Sequence, residues 1–445
     1  MRLRLFLGLL FIFLTIWKGD GGYLDLREYL DDAERLWLKH DLRLPSSTPE
    51  APEYNRYSLG LPVISGPFVL LGNALQRFTN GLVGQRAIAG LTTPVLAALA
   101  GVLLFEIALL LKASLAIALS AALIYCLGSP HMTYARFFYA EAAVECGILL
   151  AVWSYLRFFD ARQWARFLWA LLAGVGLAMA GASHYPHAPL VLCVWACLAV
   201  GFFNAPLDGK KWQKRTGYLV LFALVPLLTA IILMRLNVSR YGQVVPTGYQ
   251  PEVATKISMA YIAGNMPYLG RMLLRTPWFA PALLCGIAIL WKEKSARTRA
   301  LACAMLSGVS AQQLFWLCYS QLPVFAPRYL HPMSALAALG LAGSLQWLHG
   351  KLPTRGVKYA MIVLLVSNAI QLFYDTIFLP FMRPPAGRGL WMYTWYMQPV
   401  APGAKFDAGS PAEPLQYIIL GTLLFCGLFA IFDAKKDANA EHESW

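Results

Sequence analysis

The sequence predicts an all-α polytopic membrane protein: a transmembrane helical bundle of about twelve spans, with both termini cytoplasmic and short juxtamembrane helices in its external loops. Three observations carry this. First, 58% of the 445 residues are apolar and only 13% are charged, against roughly 25% charged in a soluble protein. Second, apolar runs of about 15 to 25 residues recur along the whole chain, each able to reach across a hydrocarbon core. Third, Lys and Arg fall in every second short loop, the pattern of cytoplasmic loops.

The expected spans are 3–17, 86–111, 113–128, 138–156, 167–183, 188–204, 216–236, 276–291, 300–320, 330–348, 358–378 and 415–433. The first follows Met-Arg-Leu-Arg and runs into Lys18, Gly19 and Asp20. No small-x-small cleavage site follows it, so it is read as a retained span. The basic loops contain Lys112; Arg157, Arg162 and Arg166; Lys210, Lys211, Lys214 and Arg215; Lys292, Lys294, Arg297 and Arg299; and Lys351, Arg355 and Lys358. The complementary loops are 18–85, 129–137, 184–187, 237–275, 321–329 and 379–414, and these are placed outside. Residues 59–76 are apolar enough to span, but counting them would invert every later loop. They are therefore expected to lie on the outer surface, where a Pro- and Gly-broken backbone is tolerable if protein covers it. The whole chain reads as one transmembrane domain.

The net charge of +14 is accounted for by these basic loops. Membrane lipids are thus expected partners and nucleic acid is not. The eight cysteines all fall in spans, so no disulfide framework is implied.

The polar stretch 18–85 holds nine carboxylates, which are costly beside a membrane unless solvated or used. Asp25, Tyr29, Asp32 and Leu36 share one face at helical spacing, consistent with an acidic helix lying at the interface. Asp31, Asp32 and Glu34 read as its solvated surface. Asp25, just past a span and a Gly-Gly turn, stands apart as a functional candidate. Glu141 sits at the outer start of a span, where an ionisable group points to function. It is placed to orient Arg136 or a sugar hydroxyl, or to pair with an arginine for structure. His184 and His187 flank a four-residue external turn. A metal would need a third ligand, and the neighbouring sequence offers none; hydrogen bonding to sugar or phosphate and plain loop geometry remain. The loop 379–414 holds Trp391, Tyr393, Trp395 and Tyr396, read as an interfacial aromatic belt or a platform for an acceptor.

Four elements then resemble one family, in order and all on the external side. Tyr57-Ser58-Leu59-Gly60-Leu61-Pro62 is a Tyr-x-x-Gly-x-Pro element following an acidic first loop. Residues 134–141 look like a second outer-loop element with its acidic residue. Residues 237–249, NVSRYGQVVPTGY, and Pro327-Arg328-Tyr329-Leu330 followed by Pro332 complete the set. Together they resemble the GT-C superfamily of integral-membrane glycosyltransferases, of the dolichyl-phosphate-mannose-transferase-like type. The chain departs from that pattern at 270–278, where a Ser-Pro-Gly stretch is usual, and lacks an Asp-Glu or Asp-x-Asp pair in the first loop.

The resemblance implies a GT-C type bundle that takes a hexose or pentose from a polyprenyl-phosphate carrier, with inversion. The acceptor would be a cell-envelope glycan, a lipid or an exported protein, at the outer face of a bacterial inner membrane. It puts Asp25 in the role of the base that takes the acceptor's proton. Cations must then steady charge on the leaving phosphate. Arg328 suits this best because its guanidinium matches phosphate oxygens in pairs, with Arg271 and Arg275 next. Tyr29, Tyr57, Arg136, Glu141, His184, His187, Tyr249 and Tyr329 are the expected substrate-binding residues. No metal ligand or cofactor is assigned, and a divalent cation stays open. A secondary transporter or flippase of lipid-linked sugars is the alternative, although no internal repeat of the kind common in transporters is visible.

Overall fold

The computed structural model describes residues 1–17, 24–44, 54–55, 57–81, 83–135, 138–205, 211–244, 257–276, 278–319 and 331–351. Regular structure among them is helical: α1 (Arg2–Ile16), α2 (Leu24–Glu34) running into a π-helical turn (Arg35–Lys39), α3 (Gly60–Ile64), α4 (Gly66–Phe78), α5 (Gln85–Gly90), α6 (Thr92–Leu110), α7 (Leu115–Leu127), α8 (His131–Ala135), α9 (Ala140–Asp160), α10 (Gln163–Ser183), α11 (Ala188–Phe203), α12 (Lys211–Tyr241), α13 (Ile262–Arg275), α14 (Phe279–Lys292), α15 (Ala296–Leu317) and α16 (Met333–Lys351). Helices stand at the first ten expected spans. The last two, with the aromatic loop 379–414 between them, lie outside the described residues. Among the described residues, six helical segments are long and apolar enough to cross a membrane: α5–α6, α9, α10, α11 with its preceding turn, α12 and α15.

The hub is α9, buried along most of its length against α6 and α10. Small residues let α10 come this close. A Cβ added at Gly147 would lie 2.5 Å from the Gly176 carbonyl oxygen, and one added at Gly176 would lie 2.5 Å from the Gly147 carbonyl oxygen. Such close contact between small residues is a usual source of adhesion between helices in lipid, where burial itself gives little. At the other extreme α12 is 6% buried over its most apolar window. It exposes Leu227, Leu228, Ile231 and Ile232, side chains suited to acyl chains rather than water.

Among the described residues, the start of α1, the ends of α6 and α9 and the start of α15 meet at one end of the bundle. There Glu106 accepts from Arg2 (2.5 Å) and Arg157 (2.8 Å). Arg297 joins Asp160 at 2.9 Å and donates to the Leu110 carbonyl. At the opposite end neighbouring helix ends interlock: Trp278 Nε1 donates to the Gly128 carbonyl (2.8 Å), and Asn265 Nδ2 donates to the carbonyls of Leu317 and Tyr319 (both 2.8 Å). Residues 59–76 lie at this second end as α3 and most of α4, broken at Ser65. At 1.5 Å per residue neither helix reaches across a bilayer. Trp37 anchors the break by donating to the Pro62 carbonyl at 3.0 Å.

Candidate active site

The acidic first-loop helix is not a solvated surface throughout. Asp31 and Glu34 are half-buried, and both pair with Arg86 at the start of α5, at 2.6 and 2.9 Å. Asp32 departs from the surface reading: it is completely buried, as is Tyr29 one turn earlier. The reason is the shared helical face. Tyr29 packs its ring 5.0 Å from that of Tyr57, and this contact carries Asp32 into the protein with it.

Asp32 is met there by two distant parts of the chain. Asn55 Nδ2 donates to its Oδ1 at 2.8 Å and also to the Glu28 carbonyl at 3.1 Å. From the end of α12, Arg240 brings Nη2 to 4.0 Å from Asp32 Oδ2 and donates to the Asn55 carbonyl at 2.6 Å. Tyr241 donates to the same carbonyl. The Arg240 guanidinium lies 5.5 Å above Tyr54 and 5.0 Å above its neighbour Tyr241, an aromatic cradle that favours a desolvated cation. Burial pushes the Asp32 carboxyl up to about 7, while Arg240, the Asn55 hydrogen bond and Arg35 pull the other way. Arg35, in the π-helical turn, is also buried. Arg35 Nη1 and Arg240 Nε are buried without a hydrogen-bond partner among the described residues.

A second group adjoins the first. The Ser58 hydroxyl accepts from the Tyr185 backbone N–H at 3.3 Å, and Gly60 lies against the backbone of Ala182 and Ser183 so closely that a Cβ there would collide. The first loop is thereby laid over the turn that carries His184 and His187. Both histidines are buried, as is Glu141 in the first turn of α9. One donor atom from each of Glu141, His184 and His187 falls within 4.8 Å of the others. α9 thus brings a carboxylate across the bundle to the two histidines.

A third group stands beneath these loops. Glu145 meets His131 Nδ1 at 2.5 Å and His331 Nδ1 at 3.1 Å, and accepts from Ser334 at 3.1 Å. Tyr134 stacks on His331 with ring centroids 4.8 Å apart. The start of α16, just past the segment that bears Arg328, is held by these contacts against the loop 129–135.

Of the expected site residues, the structure brings Tyr29 to Tyr57, and Glu141 to His184 and His187. Asp25 lies in the first turn of α2, and Arg271 and Arg275 in the last turns of α13; their side chains are outside the description. Arg136, Tyr249, Arg328 and Tyr329 lie outside the described residues. Sequence reading took Asp32 for a solvated surface residue and passed over Asn55, Arg35 and Arg240 as site residues. Arg240 sits inside the 237–249 element, so the signal was present; its partner was not legible.

The sequence model of the dolichyl-phosphate-mannose-protein mannosyltransferase family matches residues 88–241. That stretch runs from α5 to the last residue of α12. Among curated proteins no sequence matches. Among solved structures the chain is similar to ArnT from Cupriavidus metallidurans bound to undecaprenyl phosphate, with a TM-score of 0.54 at 14% identity, covering 97% of this chain and 74% of ArnT. It is also similar to the archaeal oligosaccharyltransferase AglB from Archaeoglobus fulgidus in complex with an inhibitory peptide and a dolichol-phosphate. There the TM-score is 0.50 at 11% identity, covering 90% of this chain and 60% of AglB. The chain thus spans about three fifths of AglB's length.

Proposed function

We propose that this chain, which has the GT-C glycosyltransferase fold, transfers a sugar from a polyprenyl-phosphate carrier to an acceptor at the loop end of its bundle. The observation that carries the reading is the meeting of α2, Asn55 and the end of α12 around Asp32. Two buried guanidiniums, Arg35 and Arg240, both act on that one carboxyl. Each retains a buried N–H without a partner among the described residues. A phosphate diester has the charge and the oxygens to satisfy such groups. Asp32 opposes it less than a solvated carboxylate would, because burial raises its carboxyl to about 7 and so keeps it partly protonated near neutral pH. The lipid-bound neighbours add support: ArnT is seen with undecaprenyl phosphate and AglB with a dolichol-phosphate.

In this reading the prenyl tail lies along the apolar flank of α12 and the phosphate sits by Arg240. Asp25, about two turns before Asp32, takes the proton as an acceptor oxygen or nitrogen attacks the anomeric carbon. The bond to the phosphate oxygen breaks, and polyprenyl phosphate leaves against Arg240 with Arg328, Arg271 and Arg275. Inversion at the anomeric carbon follows from a single displacement. Tyr29, Tyr57, Arg136, Tyr249 and Tyr329 line the sugar and acceptor side. The reaction faces the exterior of a bacterial inner membrane, and a glycan, lipid or exported protein receives the sugar.

The test is turnover by the purified chain in proteoliposomes with a polyprenyl-phosphate sugar. Release of polyprenyl phosphate is expected from the wild type and not from Asp25→Asn, which keeps donor binding. Movement of intact donor across the bilayer with no release would mark a flippase instead.

A further inference from the structure

We propose that the seam between the starts of α10 and α12 binds the headgroup of an anionic phospholipid, held by Arg166, Arg215 and Tyr218. Both helices run toward the candidate active site: α10 is capped there by His184, and α12 carries Arg240 in its last turn. Both therefore begin at the far end of the bundle, side by side. The Phe167 ring stands 4.8 Å from that of Tyr218, and a Cβ added at Gly174 would collide with the Phe222 carbonyl. The positive ends of two helix dipoles are thus brought together. Neither helix has an acidic residue in its first turn.

The side chains at this seam hold hydrogen-bonding capacity in reserve. Arg215 lies one turn before Tyr218, on the same face of α12. Arg166 lies across from them on α10, near enough for its charge to act on the Tyr218 hydroxyl. The Arg166 guanidinium sits 5.6 Å over Phe158 and that of Arg215 sits 5.7 Å over Phe203. Each spends one N–H on a carbonyl: Arg166 Nε donates to Ala161 at 3.2 Å and Arg215 Nη2 to Ala205 at 3.3 Å. No carboxylate pairs with either among the described residues. Other arginines at this end do have such partners: Arg2 and Arg157 hold Glu106, and Arg297 holds Asp160. Tyr218 is fully buried. Its hydroxyl and the Arg215 Nε are buried without a hydrogen-bond partner among the described residues. Buried polar groups are normally satisfied, so the seam has donors in want of an acceptor. A phosphodiester offers several oxygens, and guanidiniums match them in pairs.

The flanks of the seam point to a lipid rather than a free anion. Trp164 and Trp212, one on each helix, are 73% and 69% exposed, and tryptophan is the residue of the membrane interface. Further along the same two helices Leu168, Val220 and Leu224 are exposed, apolar surface suited to acyl chains. Basic pockets between spans are where anionic headgroups bind. The site lies at the other end of the bundle from the proposed transfer reaction and does not depend on it.

Delipidated full-length protein in detergent is titrated with phosphatidylglycerol or with zwitterionic phosphatidylcholine at physiological salt, and bound lipid is counted by native mass spectrometry. The first phosphatidylglycerol should bind at least about tenfold more tightly than the first phosphatidylcholine, since each basic side chain near an anionic lipid contributes about fivefold. The double variant Arg166→Gln, Arg215→Gln should lose that preference. The double variant Lys292→Gln, Lys294→Gln removes the same charge from the link between α14 and α15 and should keep it. Tyr218→Phe, which lacks only the hydroxyl, should bind phosphatidylglycerol about threefold more weakly. All variants must elute as the wild type does in size exclusion; the comparison of the two lipids needs no variant. Equal affinity for both lipids in the wild type would overturn the proposal. So would an undiminished preference in the folded arginine variant, an equal loss in the lysine variant, or unchanged binding in Tyr218→Phe. Displacement of the lipid by excess inorganic phosphate would mark a free-anion site and overturn it too.

Discussion

Arg240 stands with its Nη2 4.0 Å from Oδ2 of Asp32, and the two are joined through Asn55, whose side chain binds the carboxylate and whose carbonyl binds the guanidinium. A residue from the first loop and one from the end of α12 are thus locked by a third. The lock fixes where the acidic helix sits against the helix end that carries the proposed phosphate cation.

Asp32 gives the protein a pH signature. Its carboxyl holds a proton to about 7 in the folded chain, against 3.8 when exposed. Between those values the folded protein binds more protons than the unfolded one, so stability falls as pH rises. The contribution is whole below about pH 4 and gone above about pH 7. The thermal midpoint in detergent should therefore decline as pH rises from about 4 to about 7. Asp32→Asn, which keeps the shape and carries no charge, should flatten that slope. An unchanged slope in Asp32→Asn would place the titration elsewhere.

Glu145 should behave as one half of a buried pair. Glu145→Gln leaves the His131 cation uncompensated, and removal of one partner from a buried pair costs about 3–5 kcal/mol. The double variant His131→Gln, Glu145→Gln should lose less than the sum of the two single variants, with a coupling of about 1 kcal/mol or more. Thermal unfolding followed by size exclusion reads all three. Additive losses would mean that the two groups do not sense each other.

The contact between α9 and α10 depends on hydrogen in place of side chains. Gly147→Val must separate the helices or bend them, at a cost of about 1–3 kcal/mol or more. Gly181, also on α10, is a control: a Cβ there meets nothing nearer than 3.7 Å. Gly181→Ala should match or slightly exceed the wild type, as Ala is the better helix former by about 1 kcal/mol. The ratio of folded to aggregated protein after mild heating separates the two.

The bundle was legible in the sequence because a span announces itself by the length of its apolar run. That is a local signal. The face shared by Tyr29 and Asp32 was legible too, since helical spacing alone sets it. What covers that face was not, because Asn55 and Arg240 reach it from another loop and another helix. The same limit hid Glu141 from the histidine turn: the turn shows two donors and the third comes from a different span. Glu145, between His131 and His331, repeats the lesson, with partners drawn from α8 and from just before α16. Side-chain pairing across a bundle is decided by helix order and tilt, neither of which is written in any one segment.

The account rests on Arg240 meeting the phosphate of a lipid carrier, and equilibrium binding of polyprenyl phosphate to the detergent-purified chain tests this without any need for an acceptor. Wild type should bind; Arg240→Ala should bind at least about tenfold more weakly, the loss of one charge-assisted contact of about 1.5–3 kcal/mol, with Arg240→Lys between them because it keeps the charge and loses the paired donors. Equal affinity in the wild type and in a folded Arg240→Ala would contradict the account.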